Sequence, residues 1–196
     1  NLLKIPIYFI NANIHKNSIW KKPILFSFSN FIFKKINYIL VPSKRIKNNL
    51  AKLTSDVTIT GDSRFDQILE RKKKNILSLL PKKYDNTNNI IFGSYDLIDE
   101  KMILSSLNKV FPNGSLDLDK QNISIFLVPH EINNKEIKSL SKKLNTLNFN
   151  STLYTEVKSS CNVIIADIVG VLADLYKYSD VVYIGGGFTR GVHSVI

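Results

Sequence analysis

Three turns carry the side chains best suited to chemistry. In the most distinctive of them, Gly185, Gly186 and Gly187 follow the apolar run Val181, Val182, Tyr183, Ile184. Side chains vanish there, and bare backbone can approach a ligand closely. Phe188 comes next and can stack on or shield that ligand, Arg190 can meet an anion, Gly191 permits a second close approach, and His193 falls where a helix can begin. A second turn, Gly93-Ser94, closes the apolar run 90–92; Gly93 lets the backbone approach, and the Ser94 hydroxyl can be donated to a phosphate or sugar oxygen. In the third, Pro129, His130 and Glu131 close the run 123–128. A fourth candidate is Arg64, which either reaches a phosphate or carboxylate or pairs with the neighbouring Asp62 or Asp66.

The elements that must hold these turns are legible as alternating strands and helices. Residues 163–166 and 181–184 are short continuous apolar runs, the pattern of strands covered on both faces of a parallel sheet. Between them Leu172, Leu175 and Tyr178 recur at helical spacing, and Asp167 stands where a carboxylate can cap that helix. Upstream the reading is strand 5–10, helix 20–35, strand 38–41, a helix over 44–53 capped by Ser43, strand 57–60 and helix 67–80. Residues 81–89 are polar and read as a linker, after which come strand 90–92, helix 99–111, loop 112–122, strand 123–128, helix 133–147 and a short strand at Leu153 and Tyr154. This gives an α/β protein with domains at 1–80 and 90–196. In such open sheets ligands bind beyond the carboxyl ends of the strands, where all three turns fall.

Composition narrows the function classes. The 196 residues are 44% hydrophobic and carry a net charge of +11 from 27 basic and 16 acidic residues. Lysine supplies nearly all the positive charge, since arginine occurs only at Arg45, Arg64, Arg71 and Arg190. The lysines are scattered through every segment, and no aromatic-interleaved basic motif is present, so nucleic acid is not an expected partner. The lone Cys161 excludes an internal disulfide and a cysteine-based zinc cluster. No apolar run approaches the ~20 residues of a membrane span. GxGxxG after the first strand, a Walker loop, HExxH and GxSxG are all missing, which argues against a dinucleotide dehydrogenase among others.

Five separated elements, GDSRFD, GSYDLIDE, VPHEI, ADIVGVL and GGGFTRGVH, resemble in order those of the 3-deoxy-D-manno-octulosonic acid (Kdo) transferases of lipopolysaccharide synthesis. Gly93, Ser94, Asp99 and Glu100 match that family's GS-x-x-x-x-D-E element. Asp167 and Gly170 match its GD-x-x-G-E-L, with Val171 where Glu is usual. Ser194 stands where Asn is usual, and the chain stops at Ile196, one residue before an expected Glu. The resemblance implies a GT-B glycosyltransferase of two Rossmann-like domains with parallel sheets, both incomplete in this chain. The first would be the acceptor side and the second the donor-nucleotide side. It implies inverting transfer of Kdo from CMP-Kdo to a lipid A precursor at the cytoplasmic face of a bacterial inner membrane, with no metal or cofactor. The membrane anchor would lie outside this stretch. The donor set would be Gly93, Ser94, Pro129, His130, Glu131, Asp167, Gly170, Gly186, Gly187, Phe188, Gly191 and His193, with Arg64 and Arg190 as anion contacts and the general base upstream of Asn1. A nonhydrolysing sugar-nucleotide epimerase of the same fold and a noncatalytic remnant, the latter suggested by Val171 and Ser194, are the alternatives.

Overall fold

The computed structural model describes residues 5–73, 80–157 and 161–188, and the chain divides into two compact units, Asn1–Asn75 and Ile76–Ile196. In the first unit β1 (Tyr8–Phe9), β2 (Tyr38–Val41) and β3 (Val57–Ile59) form a parallel sheet in the order β1-β2-β3. The connections are α1 (Pro23–Phe33) and α2 (Lys44–Leu50), and α3 (Ser63–Lys73) follows β3. The predicted cap is present: the Ser43 side chain accepts a hydrogen bond from the Ile46 N–H at 3.4 Å. One apolar cluster, with Ile39, Val41, Leu50, Leu53 and Phe33, holds the unit together.

The second unit is a five-stranded parallel sheet of β4 (Asn88–Tyr95), β5 (Ile123–Pro129), β6 (Ser151–Leu153), β7 (Val163–Ile165) and β8 (Val181–Ile184), in the order β6-β7-β5-β4-β8. Helices α4 (Leu97–Val110), α5 (Ser115–Gln121), α6 (Asn134–Thr146) and α7 (Leu172–Leu175) connect the strands. Alternate residues of β5 enter different clusters: Ile125 and Leu127 join Leu107, Leu140 and Phe149, while Phe126 and Val128 join Tyr84, Ile164 and Leu175. The sheet is therefore buried on both faces, as a parallel sheet must be. From β4 the chain moves to β5 on one side, then crosses after β7 to place β8 on the other, and this reversal defines a switch point between β4 and β8.

Four sequence expectations change. Residues 81–89 are not a linker but part of the second unit: Tyr84 is fully buried, packs edge-on to Phe126 at 5.5 Å, and donates its hydroxyl to the Cys161 carbonyl at 2.8 Å. The polar residues that suggested a linker are consumed by bonds, most of them to residues far along the chain. The Asn89 side-chain amide donates to the carbonyls of Tyr84 and Tyr178, and Lys83 donates to Asn162. The loop expected over 112–122 contains α5, whose entry Gly114 has φ +59 and presses so close to Asn148 that a Cβ would lie 2.2 Å from its carbonyl oxygen. The run 181–184, expected to be covered on both faces, forms the edge strand β8 and is only partly covered, with Val181 58% exposed. Finally, strand pairing in the 5–10 run is confined to Tyr8 and Phe9, and a separate turn at 19–21 precedes α1.

Candidate functional site

Parallel pairing brings the ends of β5, β4 and β8 to the same edge of the second unit. Beyond Gly93 the β4–β5 register shifts, and Ser94 takes a positive φ of +52, a conformation a residue with a Cβ rarely adopts. That bulge aims its hydroxyl across to β5, where Ser94 Oγ and His130 Nδ1 lie 2.8 Å apart. The His130 N–H donates to the Tyr95 carbonyl at 2.9 Å and fixes the approach of the two turns. On the other flank the Gly185 N–H donates to the Gly93 carbonyl at 2.9 Å. Gly93, Ser94, Pro129, His130, Glu131, Gly186 and Gly187 thus share one end of one sheet.

Several glycines do other work than the sequence suggests. Gly93 was expected to let a ligand approach, yet a Cβ there would lie 2.9 Å from the Leu172 side chain and 3.1 Å from the Tyr176 hydroxyl. Its missing side chain admits α7, not a ligand. At Gly185 a Cβ would fall 2.3 Å from the Tyr95 Cα, so the strand end can pass β4 only as glycine. Gly186 has φ +91, and its N–H is directed at the Asp99 carboxylate, 2.8 Å away. The open chemical face consequently rests on the side chains of Ser94 and His130 and on Phe188, which is 60% exposed.

Asp99 and Asp96 were absent from the sequence-derived donor set, and both shape the turn. They form a reciprocal capping box on α4: Asp96 accepts from the N–H groups of Ile98 and Asp99, and Asp99 accepts from the Asp96 N–H. The D-x-x-D spacing is the signal that could have found them. Asp99 also takes the Tyr183 hydroxyl at 2.6 Å and is fully buried. Burial pushes its carboxyl up, but the hydrogen bonds from Tyr183, Gly186 and Asp96 together outweigh that and hold it below the usual range. The hydrogen bond to Asp99, helped by burial, pushes the Tyr183 phenol up to about 12.

Between the amino ends of α4 and α6 lies a cavity of about 310 Å³, at the small end of ligand pockets, walled by Tyr95, Leu97, Ile98, Ile137 and Leu140 with Pro129 and His130 at its border. The carboxylates of Asp96, Glu100, Glu131 and Glu136 line it. Glu100, 6% exposed overall, is paired with Lys143 at 2.7 Å. Such a lining repels a phosphate and suits hydrogen-bond donors on an otherwise apolar body.

The remaining predicted residues are separated from this edge or not described. Asp167 does not cap α7, whose cap position is Val171 without a side-chain bond; instead it accepts from the N–H and hydroxyl of Thr155. Gly170 has φ +88 and open space around it. Val171, the departure from the family pattern, is 7% exposed and joins the cluster of Tyr84, Ile91 and Phe126, so this position faces core. In the first unit Arg64 pairs with Asp62 at 2.6 Å, and Asp62 also accepts from Asn11. Arg190, Gly191, His193 and Ser194 lie outside the described residues. Among the described residues no group of three or more His, Cys, Asp or Glu could hold a metal, and no helix is long and apolar enough to cross a membrane.

No family model matches the chain. It is 24% identical over 196 residues to a 3-deoxy-D-manno-octulosonic acid transferase of Rickettsia felis, an alignment covering 97% of this chain. The chain spans 40% of that relative's length. Among solved structures it is similar to the C-terminal CMP-Kdo binding domain of WaaA from Acinetobacter baumannii, with a TM-score of 0.48 and 18% identity over 68% of this chain and 63% of that one.

Proposed function

We propose that the chain is part of an inverting glycosyltransferase that moves Kdo from CMP-Kdo to a lipid A precursor, with the second unit on the donor side. One observation carries the reading: the Ser94–His130 pair stands at the carboxyl edge of a doubly covered parallel sheet, beside its switch point, with His130 lining a cavity. Similarity along almost the whole chain to a Kdo transferase, and the order of the five motifs, support it.

On this reading the chemistry needs no covalent help from the protein. As the bond between Kdo and CMP breaks, the sugar becomes oxocarbenium-like and the departing phosphate gains charge. The Ser94 hydroxyl and a His130 ring N–H would donate to that phosphate, and the carboxylate-lined cavity would take an uncharged, donor-bearing part of the ligand, such as the amine of cytosine or sugar hydroxyls. The acceptor, the membrane face and a general base outside this stretch complete the proposal, and no metal or cofactor is assigned a role in it.

Calorimetric titration of the chain with CMP tests the reading. His130→Ala is expected to weaken CMP binding about tenfold, the effect of losing a hydrogen bond to a charged group. Its melting profile should match that of the unaltered chain, because an exposed strand-end histidine adds little packing. Equal CMP affinity in the two proteins, or none in either, overturns the assignment.

A further inference from the structure

Asp99 does more than finish a helix. One oxygen, Oδ2, accepts from the Asp96 N–H at 3.0 Å within the capping box and from the Gly186 N–H at 2.8 Å across the sheet. The other, Oδ1, accepts the Tyr183 hydroxyl at 2.6 Å. A capping role uses only the first of these three bonds. The other two run to β8 and to the glycine turn that follows it, 84 and 87 residues further along the chain. Asp99 is fully buried, and no cation is paired with it among the described residues, so three dipoles stabilise its charge. Backbone geometry points the same way. Gly186 is held at φ +91 with its N–H turned onto the carboxylate, and a Cβ on Gly185 would lie 2.8 Å from Asp99 Oδ2. The ring of Tyr183 is in turn fixed against Phe92 at 5.9 Å.

We propose that Asp99 is a positioning residue that clamps the glycine turn after β8 to the turn between β4 and α4, so that the two loops flanking the switch point present one fixed edge to the donor. This inference rests on the donor-side reading of the second unit. Asp99 does not touch the donor; it acts through Gly186. Without it the 185–188 turn loses its charged anchor on the first turn of α4, and the edge that Ser94 and Phe188 share becomes mobile.

The test compares the unaltered chain with Asp99→Asn, which keeps the size of the side chain but replaces one acceptor oxygen by a donor, and with Tyr183→Phe, which removes one of the three donors and leaves the carboxylate. Two readouts are taken: hydrogen exchange of the Gly186 amide, and CMP affinity. In Asp99→Asn the Gly186 amide should exchange about 10- to 100-fold faster, and CMP should bind about tenfold more weakly, while the amide of Phe126 in the central strand keeps its protection. Tyr183→Phe should move both readouts the same way by a smaller factor. Unchanged exchange at Gly186 in Asp99→Asn overturns the clamp, and faster exchange with unaltered CMP affinity overturns its service to the donor. Should Asp99→Asn lose protection at Phe126 as well, Tyr183→Phe decides by the same two readouts. Absence of CMP binding in the unaltered chain overturns the donor reading instead, and the exchange comparison still decides whether the clamp exists.

Discussion

The two units follow the same alternation of strand and helix, but they bury their apolar residues differently. In the second unit Phe126 is fully buried at the centre of five strands, and separate apolar clusters cover the two faces of the sheet. In the first, three strands share one cluster, and α1 leaves Ile24 90%, Phe31 62% and Phe28 57% exposed while burying Phe33 and Ser29. Helical spacing in α1 therefore identifies the element without saying what covers it. An apolar residue contributes stability only through the area it removes from water.

The largest expected effect separates buried from exposed aromatic residues. Phe126→Ala should destabilise the second unit by about 3–5 kcal/mol in denaturant titration, whereas Phe31→Ala should change the first by less than about 0.5 kcal/mol. A costly Phe31→Ala would show that α1 is covered after all. Next come the glycines. Gly185→Ala drives a Cβ to 2.3 Å from the Tyr95 Cα and should cost about 3 kcal/mol or more. Gly61→Ala in the first unit, at φ +84 with nothing within 4 Å, should cost only the backbone strain, about 1 kcal/mol. Equal penalties would mean that close approach at Gly185 is relieved by movement of β8.

The smallest effect concerns two carboxylates that are both held below the usual range, for different reasons. Hydrogen bonds from Arg64 bring the half-buried Asp62 to about 2, while the buried Asp99 is held down by Tyr183, Gly186 and Asp96 against the pull of burial. A depressed value means that the folded state binds its proton less readily than the unfolded chain does. The stabilisation is then present above the unfolded value of about 3.9 and is lost as pH falls through the folded one. Arg64→Ala should raise Asp62 part of the way toward about 3.9 in an NMR titration, because the backbone N–H of residue 64 still donates to it, with little change in stability at neutral pH. Acidification should instead release Asp99 from its partners and speed exchange at Gly186, with Asp96 as the other acid facing it. An Asp62 titration that stays near 2 in Arg64→Ala would assign its shift to the backbone N–H of residue 64 and to Asn11 instead.

Much of this was legible because local chemistry and tertiary position agree. The apolar runs at 123–128 and 163–166 sit in strands covered on both faces, and Ser43 caps α2. The gathering of Gly93, Ser94 and His130 followed from their common place at strand ends in a parallel sheet. What sequence did not reveal depends on partners remote in the chain. Gly93 is small to admit Leu172 and Tyr176, Asp99 serves a glycine turn far downstream, and Val171 faces an apolar cluster assembled from three strands, α7 and the segments that connect them. Polarity misled at 81–89 because a segment rich in Lys and Asn was read as solvated, whereas its side chains bond the backbone of the sheet's opposite end.

The burial of Tyr84 sets where the second unit can be cut. A shortened chain begun at Ile90, where the apolar run starts, would discard a fully buried ring and leave Phe126 without its edge-on neighbour. It would also strip the Cys161 carbonyl of the Tyr84 hydroxyl and the Lys83 ammonium. Such a truncation should express as a sticky, poorly cooperative species, and one that retains Leu80 through Asn89 keeps the floor of the sheet sealed.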